Sequence, residues 1–214
     1  MLPSTWLDAE VLAQVGRAAE PFAKASCVAA PNRLLDWQIL RAVLGTIPAN
    51  ETLVVSRGEL LPLPVPRTLF ALRAYLQNDI GLCLRRTERH APSLATVAET
   101  FRGVGVPHVQ LFVTPSSSHG LRWHFDDEHV MIVQIEGQKD YLFRANTVAD
   151  VRADASVFSR FADETSPLMM ATLVPGDVLY IPSRWWHMAE CAHQSLSVSV
   201  GIMPASVSAA AVAP

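Results

Sequence analysis

Two periodicities divide the chain. In its first hundred residues apolar side chains recur three and four apart, as in "WLDAEVLAQVGRAAEPFAKA" (6–25) and "NRLLDWQILRAVLGTI" (32–47). That spacing lays an apolar stripe along a helix, and Pro21, Pro31 and Pro48 break the stretches into separate helices. "TLVVS" (52–56) reads as a short strand. "LPLPVP" (61–66) reads as a stiff extended linker, because each proline fixes its own φ and pushes the residue before it out of the helical region. A helix is predicted over about Arg67 to Gln77, a strand over "GLCLRR" (81–86), and a helix over "SLATVAETFRGV" (93–104) with Ser93 as its cap.

From His108 the period shortens to two. "HVQLFVTP", "LRWHFD", "HVMIVQIEG", "KDYLFRA", "MMATLVP", "DVLYIP", "WHMAEC" and "SLSVSVGI" are short runs of β-branched and aromatic residues, separated by Gly, Pro, Ser and Asp. Eight such strands suit a double-sheet jelly roll, the architecture that includes the cupins. The expected fold is therefore mainly β, a double-stranded β-helix with an N-terminal helical region packed on the barrel. The expected organisation is one domain over 1–214: a helical front over about 1–106, a jelly-roll core over about 107–203 and a frayed tail over 204–214. Only "ADVRADASVFSRFADETS" (149–166) interrupts the strands, with partly helical character.

Composition narrows the partners. With 214 residues, a formal net charge of -3 and 17% charged residues, neither nucleic acid nor an anionic membrane is favoured by long-range charge. No apolar run approaches the ~20 residues of a membrane helix, and "MLPSTWLDAE" has neither a basic nor a hydrophobic signal region, so a cytoplasmic location is expected. Cys27, Cys83 and Cys191 are odd in number and widely spaced, which reads as reduced thiols. Lys24 and Lys139 are the only lysines, against 15 arginines.

The chemistry gathers around "GLRWHFDDEHVMIVQIEGQKDYLFR" (120–144). On a strand, His124 and Asp126 project to one face while Trp123 and Phe125 take the other. "PGDVLYIPSRWWHMAE" supplies a third ligand, His187, on a later strand. Two histidines and one carboxylate leave the opposite metal positions open, as in the facial triad of non-haem Fe(II) oxygenases. Lys139 follows His124 across a strand and a tight turn, which brings its ammonium toward the metal. Arg122 shares the face of His124, and Asp127 alternates away. Glu128 and His129 are rim or structural positions, His193 lies in a loop, and Trp123 is expected as a buried anchor.

"HFDDEHVMIVQIEGQKDYLF" followed by "PGDVLYIPSRWWH" resembles the JmjC class of 2-oxoglutarate-dependent oxygenases within the cupin superfamily, particularly the ribosomal-oxygenase and asparaginyl-hydroxylase branches. The resemblance covers about Leu82 to Met203: the HxD pair, the "QIEG" turn, a basic residue just after it, and a distal histidine after "GDVLYIP". It implies Fe(II) on His124, Asp126 and His187 as catalytic metal ligands, 2-oxoglutarate and O2 in the open positions, and Lys139 on the distal carboxylate. Phe112 and Leu121 stand where many relatives carry a tyrosine and a hydroxyl residue. Compensating donors are sought in Tyr141 and in Ser195, Ser197 and Ser199, which share one face of "SLSVSV".

The activity so implied is hydroxylation of an amino-acid side chain in a protein or peptide. Alternatives are hydroxylation of a small metabolite or carrier-bound amino acid, a non-oxidative metal-binding cupin, and an interaction module that has lost catalysis. The apolar N-terminal helices also suggest a homodimer.

Overall fold

The structure, a computed structural model, describes residues 6–116, 118–148 and 161–204. Its strands are β1 (Phe22–Lys24), β2 (Thr52–Ser56), β3 (Glu59–Leu60), β4 (Gly81–Leu84), β5 (Val106–Thr114) and β6 (Ser118–His119), then β7 (His129–Glu136), β8 (Lys139–Arg144), β9 (Met169–Leu173), β10 (Val178–Ile181), β11 (Trp186–Cys191) and β12 (Ser195–Met203). The helices are α1 (Ala9–Gln14), α2 (Trp37–Thr46), α3 (Leu69–Leu76) and α4 (Pro92–Thr100). Two antiparallel sheets face each other: a large one ordered β1-β10-β7-β12-β5-β4-β2-β3 and a small one ordered β6-β11-β8-β9.

Strand alternation sorts the side chains into two cores. Odd positions of β5 (Val109, Leu111, Val113) and the partners Met131, Val133, Leu196, Val198 and Val200 point outward from the barrel, where they join Leu40, Val43, Leu44, Leu72, Leu94, Val97 and Phe101 in one cluster. The helices thus cover the outer face of the large sheet, and each fully buried Leu or Val contributes about 1.5–3 kcal/mol. Much of the apolar stripe that suggested a helical dimer face is taken up by this packing, while Phe70 of α3 (Leu69–Leu76) stays exposed. A second cluster, Val130, Ile132, Tyr141, Phe143, Leu173, Leu179 and Ile181, fills the space between the sheets.

The front of the chain is less helical than its pattern predicts. α1 has six residues, and Phe22–Lys24 form an edge strand on β10 instead of extending a helix. Gly16, at φ 76, and Pro21 end the helical path, and the exposed edge of β10 supplies the hydrogen bonds a helix would have made internally. α2 begins where Asp36 Oδ1 accepts from the Gln38 and Ile39 amides, and α3 where Thr68 accepts from the Ala71 amide. Ser93 does not cap α4: Pro92 occupies the first turn, and the Ser93 hydroxyl donates to the Leu34 carbonyl.

"LRWHFD" is not a strand. Leu121 and His124 form isolated bridges to Gly58 and His187, and the residues between them run without ladder partners. The expected tail beyond 204 and most of the expected partly helical insert, 149–160, lie outside the described residues; Phe161–Asp163 form a 3-10 turn. The two ends of that insert are clamped by Glu164, whose carboxylate accepts from the Thr147 amide and hydroxyl and from the Ser166 amide. Among the described residues the cysteines form no disulfide, and no helix is long and apolar enough to cross a membrane.

Candidate metal centre

His124 and His187 face each other in a two-bond antiparallel pair: the His124 amide donates to the His187 carbonyl at 3.1 Å, and the His187 amide to the His124 carbonyl at 2.8 Å. Directly opposed residues place their side chains on the same side, and the two imidazole centroids lie 4.2 Å apart. The Arg184 amide donates to the Asp126 carbonyl at 2.7 Å, extending the pairing by one bond and fixing Asp126 beside the rings. Asp126 Oδ2 is 3.6 Å from His187 Nε2. Ligand atoms of His124, Asp126 and His187 all lie within 4.8 Å of one another.

The donor set fits a divalent transition metal. Each histidine directs Nδ1 at a carbonyl two residues upstream, His124 to Arg122 at 2.7 Å and His187 to Trp185 at 3.0 Å. A carbonyl only accepts, so both Nδ1 atoms carry the proton and both Nε2 lone pairs turn toward the common point. That second contact fixes tautomer and ring orientation for metal binding. Burial, with His124 close by, holds His187 down at about 4, so its imidazole is neutral at neutral pH, the form a metal takes.

The triad heads a cavity of about 110 Å³ that continues between the sheets past Gln110, Phe112, Ile132 and Ser199 to Tyr141 and Lys139. The local sequence explains how Lys139 reaches it. β7 and β8 belong to different sheets, so the two residues between them must hand the chain across. Gly137 turns there at φ 73, and the fully buried Gln134 amide donates to the Glu136 and Gly137 carbonyls. The "QIEG" motif is therefore a turn held by its own glutamine, and it delivers Lys139 inward. "PGD" is its counterpart before β10: Asp177 accepts from the Ser26 and Val174 amides while the Gly176 amide donates to Gln134.

Lys139 is 3% exposed. Its ammonium donates to Thr114 Oγ1 at 3.1 Å and lies 5.3 and 5.6 Å from the ring centroids of Phe112 and Tyr141. Burial pushes it down to about 8, opposed by the neighbouring Cys191 and Cys83 thiols. Burial also raises the Tyr141 hydroxyl, which the adjacent Ser197 partly offsets. Of the three serines on β12, Ser199 lines the cavity; Ser197 lies against Tyr141, and Ser195 Oγ is buried without a hydrogen-bond partner among the described residues. Ser195 and Ser197 therefore stand behind the cavity wall expected of them.

Other expectations resolve individually. Arg122 pairs with Glu59 and is spoken for away from the metal. Asp127 pairs with Arg184 at 3.6 Å on the surface. His129 is structural: its Nδ1 accepts from the Ser183 amide and from the Tyr180 hydroxyl, so burial keeps it neutral. Trp123 is half-buried and stacks on Phe161, while Trp186 is the fully buried one, edge-on to Phe125. Glu128 turns inward, within 3.4 Å of His108, and burial together with the charge of Asp126 pushes it up to about 8. Sequence reading missed Gln110, Thr114 and this His108–Glu128 pair. The first two and His108 share the barrel face of "HVQLFVT", whose alternation of polar with apolar positions was visible.

The JmjC domain family profile matches residues 85–210, more than half of the chain. Among curated proteins, the chain is 34% identical over 95 residues to the bifunctional lysine-specific demethylase and histidyl-hydroxylase NO66 of Culex quinquefasciatus, covering 42% of this chain and 15% of that protein. It is 32% identical over 100 residues to ribosomal oxygenase 1 of Homo sapiens, covering 46% and 15%. Among solved structures, Escherichia coli ycfD superimposes with a TM-score of 0.63 at 14% identity, covering 92% of this chain and 53% of that one. A complex of the E. coli ribosomal oxygenase YcfD with cobalt and 2-oxoglutarate matches with a TM-score of 0.58 at 15% identity, covering 86% and 48%. The chain thus spans about half the length of those structures and a smaller share of the curated relatives. With the profile extending from just after β4 past the last strand, and the fold similar to that of the solved structures, the chain belongs to the JmjC domain family.

Proposed function

We propose that the chain is an Fe(II)- and 2-oxoglutarate-dependent oxygenase that hydroxylates an amino-acid side chain of a protein or peptide, working as a single catalytic domain. One observation carries the reading: a two-histidine, one-carboxylate cluster and a buried lysine line the same cavity. A buried ammonium is costly without an anionic partner, and a dicarboxylate that chelates a metal through its keto-acid end presents such a partner at the other end. A non-oxidative cupin has no comparable need for Lys139. The names of the relatives, histidyl-hydroxylase and lysine-specific demethylase, point to amino-acid side chains as the substrate class.

In this reading His124 Nε2, Asp126 and His187 Nε2 hold the metal, whose facial triad keeps positions open for co-substrate and O2. Bound iron supplies the oxidising chemistry, with 2-oxoglutarate converted to succinate and carbon dioxide as the substrate gains an oxygen atom. The chain's own work is positional. Lys139, steadied by Thr114, takes the distal carboxylate; Tyr141 flanks it, with Ser197 and Ser195 behind. Phe112, Val130 and Ile132 keep the cavity wall apolar, which strengthens every charge interaction inside.

The test is succinate formation from 2-oxoglutarate with iron, coupled to a peptide mixture analysed by mass for the gain of one oxygen atom. His124→Ala should abolish both signals. Full iron-dependent turnover by His124→Ala would refute the assignment.

A further inference from the structure

The two sheets differ in how their outer faces are closed. The four α-helices all pack on the large sheet, and none of their residues enters the clusters of the small one. Register defines what the small sheet presents instead. Lys139, Tyr141 and Phe143 of β8 point into the barrel, so Asp140, Leu142 and Arg144 point out. Their cross-strand partners complete three outward rows: Glu190–Asp140–Thr172, Met188–Leu142–Met170, and Trp186 beside Arg144. Phe161 covers the last row, edge-on to Trp186 and with its ring centroid 5.9 Å from the Arg144 guanidinium.

The middle row stays open. Met170 is 68% exposed, Leu142 and Met188 are half-buried, and Leu168 and Val174 add exposed apolar surface at the two ends of β9. β9 is also the free edge of its sheet and carries no charged residue, the usual protection of an open edge. Contiguous exposed apolar surface with a polar rim marks an interaction site, and methionine adapts its shape to what it meets.

Charge decides the occupant. Asp140 and Glu190 stand directly opposite each other in the register, where like charges repel. Among the described residues neither has an ion-pair partner, and Asp140 accepts from the Thr172 hydroxyl at 2.6 Å. A second copy on this face would add two more carboxylates, and a nucleic acid or an anionic membrane would be repelled. A cationic side chain beside the pair relieves the repulsion. Spacing decides the shape: three strands make a row about 10 Å long, which about two turns of helix span. The acidic row lies two residues away along the strands, about 7 Å, within reach of a lysine or arginine on the flank of that helix.

We propose that the outer face of the small sheet docks a basic amphipathic helix of a partner protein, its apolar stripe on Met188, Leu142 and Met170 and its cations on Asp140 and Glu190. The surface lies on the far side of β8 from Lys139, so the assignment is independent of the oxygenase reading.

The test uses the full chain with methyl-labelled methionine and, as probe, a blocked leucine–lysine peptide whose leucines recur at helical spacing. Its counterparts are the leucine–glutamate peptide of the same pattern and a scrambled leucine–lysine peptide. In NMR titrations the Met170 and Met188 methyl signals should move on adding the probe, and those of Met131 and Met203, on the large sheet, should not. The probe should bind at least about tenfold tighter than the acidic peptide, the combined effect of two exposed ion pairs gained and two repulsions avoided. It should also bind tighter than the scrambled one. Asp140→Asn and Glu190→Gln should each weaken binding about threefold, and Met170→Gln at least about fivefold. Glu99→Gln, which removes an exposed carboxylate from α4, should leave it unchanged. In Asp140→Lys/Glu190→Lys the preference should turn to the acidic peptide. Equal binding of the acidic or the scrambled peptide, an equal loss in Glu99→Gln, or Met170 and Met188 signals that stay still would overturn the proposal. A Met170 signal that shifts on dilution without peptide would assign the face to a second copy and overturn it too. If a variant fails to fold, the methyl map and the peptide preference of the wild type decide the matter.

Discussion

Lys139→Met should make the protein more stable and useless for binding 2-oxoglutarate. The buried ammonium is held near 8 against an ordinary 10.5, and a difference of that size corresponds to about 3 kcal/mol of unfavourable charge burial at pH values below 8. Methionine has similar volume and carries no charge, so the penalty disappears. The hydrogen bond to Thr114 is lost, which returns about 1 kcal/mol, and the contacts with Phe112 and Tyr141 return somewhat less. The net expectation is a gain of about 1–2 kcal/mol at pH 7, or a few degrees in Tm for a domain of this size. The sign with pH follows from the lowered value. Between 8 and 10.5 the unfolded wild type binds more protons than the folded one, so wild-type stability rises with pH and the advantage of Lys139→Met shrinks toward zero. Adding 2-oxoglutarate and a divalent metal should invert the order, because ligand at a hundredfold excess over Kd adds about 2.7 kcal/mol to the wild type alone. Urea denaturation at pH 7 and pH 10, with and without these ligands, reads every part of the expectation. A Lys139→Met protein that is less stable than wild type at pH 7, or a difference that does not change between the two pH values, would refute the reasoning.

Two other substitutions probe the supports of the site. Burial pushes Glu164 up, but the hydrogen bonds from Thr147 and Ser166 outweigh it and hold the carboxyl at about 2 against an ordinary 4.5. Its contribution is therefore complete above 4.5 and lost as pH falls through 2; Glu164→Gln should destabilise the protein at pH 7 and flatten its acid denaturation curve, as followed by circular dichroism. Gly137→Ala places a side chain at φ 73 and against the Gln194 carbonyl, so a loss of about 2 kcal/mol or more is expected in urea denaturation, with weaker 2-oxoglutarate binding in calorimetry because Lys139 loses its approach.

What the sequence disclosed and what it withheld separate along the range of the interactions. The period-two runs marked the strands of both sheets because alternation is a local record of which face is buried. The HxD spacing, the "QIEG" turn and the Gly-Asp turn were legible for the same reason, each being set by bonds within a few residues. Phe22–Lys24 misled because "AAEPFAKA" has helical spacing and composition, while its strand geometry is dictated by the edge of β10 more than 150 residues downstream. Ser93 stood in a plausible capping position and was claimed by Leu34 instead. His124 and Asp126 were placed side by side on strand logic that the structure does not use: their common orientation comes from the bridge to His187 and the Arg184 amide. Thr114 and His108 stood in the visible alternation of "HVQLFVT", but the contact of Thr114 with Lys139 and the His108–Glu128 pair depend on which strands the topology brings together.

That same topology explains why a helical front belongs to a barrel whose proposed ligands all come later in the chain. His187 follows the turn Pro182–Ser183–Arg184, in which Arg184 takes φ 68. The turn has no ladder of its own. Its position is set from outside: the Ser183 amide donates to His129 Nδ1, the Tyr180 hydroxyl donates to the same atom, and the Gly16 amide donates to the Tyr180 oxygen. Phe22 packs on the Tyr180 ring, with centroids 5.2 Å apart, from the edge strand β1. A relay of side chains and amides thus runs from the end of α1 through the large sheet to the turn that aims His187, the third proposed ligand. The left-handed Arg184 is strained on its own, and the relay supplies the bonds that hold it there while its amide pins Asp126. The mutual placement of His124, Asp126 and His187 therefore depends on contacts made by Gly16 and Phe22, which is a physical reason for the front and the barrel to fold as a cooperating pair even though the proposed metal site lies in only one of them.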